Sequence, residues 1–145
     1  MLYNRAMSTR NIVGRCVGIA GAVAVMGGIF FKWAQGTTGL KTPITRLISA
    51  QVESAPHQVT HSMGLVFAGW SLLLLVCAAF GRRMLTFFLG FCTLATVGLW
   101  AGMMFLYEEP RSFGPHNFQL GAWIVIGGAI LAIIGSRIIP KKHRE

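Results

Sequence analysis

The sequence predicts an all-α integral membrane protein, with four transmembrane helices in an up-down bundle and a short amphipathic helix in the first outer loop. Three observations predict it. Residues of the AVILMFWYC set make up 54% of the 145, and DEKR only 12%; a soluble domain carries about 25% charged residues. Four apolar runs follow one another, each close to the roughly 20 residues that cross a bilayer. The runs are continuous, whereas the strands of a membrane β-barrel alternate, and a backbone that must pair all its polar groups inside lipid leaves helices as the remaining choice. The whole chain, 1–145, reads as one four-pass domain.

The first span is placed at about 11–31. Arg5, Arg10 and Arg15 precede its apolar stretch, as in a secretory signal, but three more spans follow and no convincing small-x-small cleavage site lies just after Phe31, so it is read as an uncleaved helix. Trp33 is expected at the headgroup level. In the long loop after it, Thr42 is a suitable N-cap and Pro43 suits the first helical position. Ile44, Leu47, Ile48 and Val52 then fall on one helical face, predicting an amphipathic helix over about 43–54 that Pro56 limits. The second span is placed at about 59–80 and the third at about 84–107. The turn Gly81-Arg82-Arg83 between them is short enough to make them antiparallel neighbours. The fourth span is placed at about 118–139.

Charge sets the expected orientation. Four spans put both termini on the side of the Gly81 turn. That side holds nine basic residues, namely Arg5, Arg10, Arg15, Arg82, Arg83, Arg137, Lys141, Lys142 and Arg144. The other side holds four: Lys32, Lys41, Arg46 and Arg111. The positive-inside rule then places both termini in the cytoplasm of a bacterial inner membrane. The net charge of +9 is divided among the ends of apolar runs, which argues against one nucleic-acid-binding patch.

Small residues recur at four-residue spacing: Gly14, Gly18 and Ala22; Gly98 and Gly102; Gly128, Ala132 and Ser136. In lipid, helices associate by close approach at such positions. The expectation is packing within the chain or between copies, with Gly98→Leu more disruptive than Leu99→Ile. Cys16, Cys77 and Cys92 lack C-x-x-C spacing and are read as buried small hydrophobes. Arg15 and Arg137 are read as snorkelling near helix ends.

No Asp, Glu, Lys or His falls mid-span. This sets the chain apart from the small multidrug-resistance exporters, which are also compact and four-pass but depend on a glutamate in their first helix. Transmembrane b-type haem needs facing histidine pairs inside a bundle, and no Ser/His/acid constellation or G-x-S-x-G is present. The outer side carries Glu53, His57, His61, Glu108, Glu109 and His116. His57 and His61 are spaced i, i+4. With His116 they offer three imidazoles for Zn²⁺ or Cu²⁺, a site that would weaken as pH falls toward about 6.5. Otherwise no cofactor is expected. The order of spans, the long first outer loop and the Arg-containing turn are similar to DoxX-type and other small four-pass bacterial membrane families. The likeness is topological: Thr60-His61-Ser62 stands where the DoxX-type pattern has an acid, and no functional residue is carried over.

The functional expectation is a non-enzymatic accessory or assembly subunit, acting through helix packing and its outer loop. Its partners would be the bilayer and other membrane subunits or further copies of itself, with no nucleic acid. A phage-type permeabilising (holin-like) or immunity protein is the alternative, supported by the basic tail Lys141-Lys142-His143-Arg144. A metal-binding or pH-sensing protein that uses the outer histidines is a further one.

Overall fold

A computed structural model describes residues 2–34, 37–47, 62–107 and 118–140. Among these residues the chain forms four helices: α1 (Leu2–Gly28), α2 (Met63–Ala79), α3 (Arg83–Tyr107) and α4 (Leu120–Ile138). Three contain stretches long and apolar enough to cross a membrane, Thr9–Gly28, Arg83–Leu106 and Leu120–Ile138; α2 is apolar but shorter, at 17 residues. At 1.5 Å per residue α2 spans about 25 Å, short of a hydrocarbon core of about 30 Å. Each helix packs on its chain neighbours, and α1 closes the ring against α4, the most extensive contact in the molecule. Large side chains such as Leu72, Phe88, Leu99 and Ile134 point outward, as the lipid-facing surface of a bundle requires.

Glycine decides how α1 meets α4. Gly14, Gly21 and Gly28 recur every seven residues on α1, and Gly121, Gly128 and Gly135 do so on α4. The two series pair antiparallel. A Cβ placed on Gly21 would stand 2.5 Å from the Gly128 carbonyl oxygen, and one on Gly128 would stand 2.7 Å from that of Gly21. Gly28 and Gly121 block each other in the same way, at 2.9 and 2.8 Å, as do Gly14 and Gly135, at 3.0 and 2.8 Å. Any side chain at these positions would drive backbone from backbone. A seven-residue repeat keeps the contact on one face of both helices only if they wind about each other left-handedly. Gly18 serves a different neighbour, since its Cβ position lies 3.0 Å from Ala78 of α2, while Ala132 lies against Gly21 within the seam. Gly98 and Gly102 are exposed, with nothing within 4 Å of their Cβ positions, so the G-x-x-x-G of α3 makes no close helix contact among the described residues.

The α2–α3 turn is built by a Schellman motif. Gly81 has φ +65, a conformation that costs glycine little. Its N–H donates to Ala78 O at 3.0 Å, and the Arg82 N–H to Cys77 O at 2.9 Å, which satisfies the last carbonyls of α2. Arg15 completes this end. Its guanidinium donates to Asn11 Oδ1 at 3.0 Å and to Ala79 O at 3.3 Å, placing a cation at the negative end of α2. Arg137 is exposed and its guanidinium lies 4.8 Å above the Phe87 ring, a cation–π contact.

Buried hydroxyls are satisfied on their own helices. Thr86, Thr93 and Thr96 donate to the carbonyls of Arg82, Leu89 and Cys92 at 3.0, 2.9 and 2.8 Å, the local pairing that lets threonine sit in an apolar helix. The cysteines are unpaired. Cys77 and Cys92 are half-buried, but Cys16 is exposed, which corrects the reading of all three as buried: the α1 face that bears Cys16 is turned away from the seam.

Candidate functional site

The end of the bundle opposite the Gly81 turn carries a small folded cap. It forms because α1 stops at Gly28, before the expected Phe31. Ile29, Phe30 and Phe31 donate to the carbonyls three residues back, at 3.4, 3.1 and 3.4 Å, tightening the last turn. The chain then reverses through an antiparallel pair, β1 (Lys32–Ala34) and β2 (Thr37–Thr38), in which Lys32 faces Thr38. Two 3₁₀ turns follow, Gly39–Lys41 and Ile44–Leu47.

Trp33 is the centre of this cap. It is 0% exposed, which overturns its expected place at the headgroups. Its indole N–H donates to the Gly28 carbonyl at 2.9 Å, so the ring folds back and caps the helix it follows. Its ring lies 4.9 Å from Phe67 of α2 and 5.3 Å from Trp100 of α3; Trp100 in turn lies 5.6 Å from Phe118, and Phe118 lies 6.0 Å from Trp123 of α4. A tryptophan shares its amphipathic shape with headgroup anchors, and here the internal carbonyl wins because Gly121 leaves room for the ring. A Cβ on Gly121 would meet Trp33 Cδ1 at 2.6 Å, and one on Gly39 would meet Nε1 at 3.2 Å.

The described residues that flank 48–61 and 108–117 meet at the cap. The Met63 N–H donates to Thr42 O at 2.8 Å, and Pro43 bridges to Ser62, so the chain leaves and re-enters at one point around 44–61. This pairing also starts α2 at Met63 instead of near Val59. The Gln119 N–H donates to Trp33 O at 2.7 Å, fixing where the second segment rejoins the bundle. The indole nitrogens of Trp70 and Trp100 and Oε1 of Gln119 are buried, with no hydrogen-bond partner among the described residues.

Of the expected amphipathic helix, Ile44–Leu47 is a 3₁₀ turn and Ile44 is half-buried; Ile48 and Val52 lie outside the described residues. So do His57, His61 and His116, the imidazoles of the expected metal site, together with every acid of the chain. Among the described residues no three His, Cys, Asp or Glu side chains converge. Among the described side chains, the charged groups are Arg15, Arg82, Arg83 and Arg137 at the Gly81 end, with Arg10 one turn beyond, and Lys32 and Lys41, both exposed, at the cap. No protein family matches the chain, and neither does any curated protein or solved structure.

Two signals in the sequence were available for what the four-residue count missed. One is the seven-residue glycine series shared by α1 and α4. The other is the adjacency of Gly27-Gly28 to Trp33, where a helix end and a large ring five residues on can close on each other.

Proposed function

We propose that this chain is a non-enzymatic, four-pass protein of a bacterial cytoplasmic membrane, with both termini inside, that works as an accessory or assembly subunit through its outer segments. The observation that carries the reading is their common root. The Thr42–Met63 and Trp33–Gln119 hydrogen bonds tie both segments to one aromatic cap. All three non-terminal acids and three of the four histidines belong to these two segments, so the chain presents its polar chemistry at one end of a stiff apolar bundle. The opposite end gathers arginines, in keeping with a cytoplasmic position. In this reading α2 is the fourth span, and its short length is made up by the cap above it.

Topology is the first test. Reporter fusions after Arg83 and Glu145 are expected to read cytoplasmic and fusions at Gly39 and Ser112 external; one reversed position ends the four-span arrangement. Function is tested in native membranes. On blue-native gels the chain is expected in an assembly well above its 15.8 kDa. Replacing 48–60 with a Gly-Ser linker is expected to release it from that assembly with its thermal unfolding unchanged. A chain that migrates alone with either sequence would refute the subunit role.

A further inference from the structure

Arginines from α1, the Gly81 turn, α3 and α4 stand together at one end of the bundle. The Arg15 guanidinium lies on Gly81, with Nε 2.8 Å from the position a Cβ would take there. Arg82 follows directly and is exposed, and Arg83 opens α3. One turn on, on the face of α3 that bears Arg83, is Phe87, and the Arg137 guanidinium of α4 lies 4.8 Å over its ring. Arg15 is placed by acceptors of its own chain, Asn11 Oδ1 and Ala79 O. For the others there is no carboxylate among the described residues. In sequence, the segment after α4 adds Lys141, Lys142 and Arg144 against Glu145 alone.

Membrane orientation requires positive charge on this side, but not that the charges stand side by side. Like charges at close range repel, so the arrangement favours an anion among them. A guanidinium matches phosphate oxygens with paired N–H donors. The surroundings decide which phosphate. Met84, Leu85 and Phe88 of α3 and Ile134 of α4 are apolar and exposed, and they begin beside Arg83 and Arg137. A soluble anion makes no use of that surface, whereas a phospholipid brings a phosphate and acyl chains together. We propose that Arg83 and Arg137 hold the phosphate of an anionic phospholipid, in the positive field of Arg15 and Arg82, with its acyl chains along α3 and α4. The proposal rests on the membrane reading given above.

The test uses the full chain in mild detergent with added phosphatidylglycerol or phosphatidylcholine, followed by native mass spectrometry. The unaltered chain is expected to retain phosphatidylglycerol in preference to phosphatidylcholine. Arg83→Gln with Arg137→Gln is expected to lower that retention about twenty-fivefold, about fivefold for each guanidinium. Arg83→Lys with Arg137→Lys keeps the charge that sets orientation but loses the paired donors, and retention is expected to fall about fivefold. Lys32→Gln with Lys41→Gln removes two exposed charges from the opposite end and is expected to leave retention as it was. Full retention by the Arg→Lys pair would overturn the proposal and leave the arginines to set orientation alone. So would an equal loss in the Lys32 and Lys41 variant, which would make the effect one of net charge. Displacement of the lipid by an equal concentration of inorganic phosphate would overturn it too, by giving the site to a soluble anion. A chain that stays out of the membrane fraction would instead overturn the membrane reading itself, before any lipid is added.

Discussion

Gly21→Leu is expected to break the α1/α4 seam and cost at least about 3 kcal/mol, the upper range for overpacking a tight core, because the obstacle is backbone on both helices. The Gly128 carbonyl oxygen lies 2.5 Å from the first added carbon, and Ala132 N lies 2.7 Å from it. Neither can rotate aside as a side chain would. Separating the helices at this level also strains the pairs above and below, Gly28 with Gly121 and Gly14 with Gly135. Gly98→Leu is expected to change stability by less than about 0.5 kcal/mol, since nothing lies within 4 Å of that position. Thermal unfolding in detergent, followed by tryptophan fluorescence, compares the two directly. Gel filtration of the Gly98 variant adds a second readout: a smaller particle with unchanged unfolding would assign the α3 G-x-x-x-G to contact between copies.

Trp33→Ala is expected to cost about 3–5 kcal/mol, as for other buried large aromatics. The ring fills the space where α1, α2, α3 and the cap converge, and its loss also strips the Gly28 carbonyl of its indole donor. Trp33→Phe keeps most of the ring packing, and its loss should be nearer to about 0.5–1.5 kcal/mol, the net worth of one hydrogen bond, since the Gly28 carbonyl still accepts from the Phe31 N–H at 3.4 Å. Protease sensitivity of the cap gives a local measure. Trp33→Ala is expected to open the chain around Gly39 to cleavage well below the unfolding temperature. Global unfolding without early cleavage would show that the cap is held by its other contacts.

Four helices, their order and the tight Gly81 turn were legible because each rests on a local signal: an apolar run of sufficient length, or a glycine followed by two arginines. Where helices end was less legible. α1 stops at Gly28 and α2 starts at Met63 because Trp33 and Thr42 offer hydrogen bonds across the cap, and partners distant in sequence leave no mark in a hydropathy window. Small-residue counting found Gly14, Gly18, Gly128 and Ala132, all of which lie at helix contacts. It could not tell these from Gly98 and Gly102, because spacing shows that a face is smooth and says nothing of what it faces. Trp33 illustrates the same limit, since headgroup anchor and buried cap ask for the same residue. The outer histidines have a pattern, but the residues that carry it lie outside those described.

The glycine seam bears on how the protein is made. Its two halves sit on α1 and α4, the first and last of the four described helices in chain order. Neither can reach its closest partner until about 120 residues have been synthesised. Until then the glycine face of α1 stays unmatched, and α1 rests on the looser contact with α2. Closing a loop of that length carries a larger entropy cost than joining neighbouring helices, so the seam is the last contact to form. A chain cut off before α4 would present a bare groove of backbone to the membrane. An unfinished molecule thus differs from a complete one by a strip of uncovered α1 backbone at Gly14, Gly21 and Gly28.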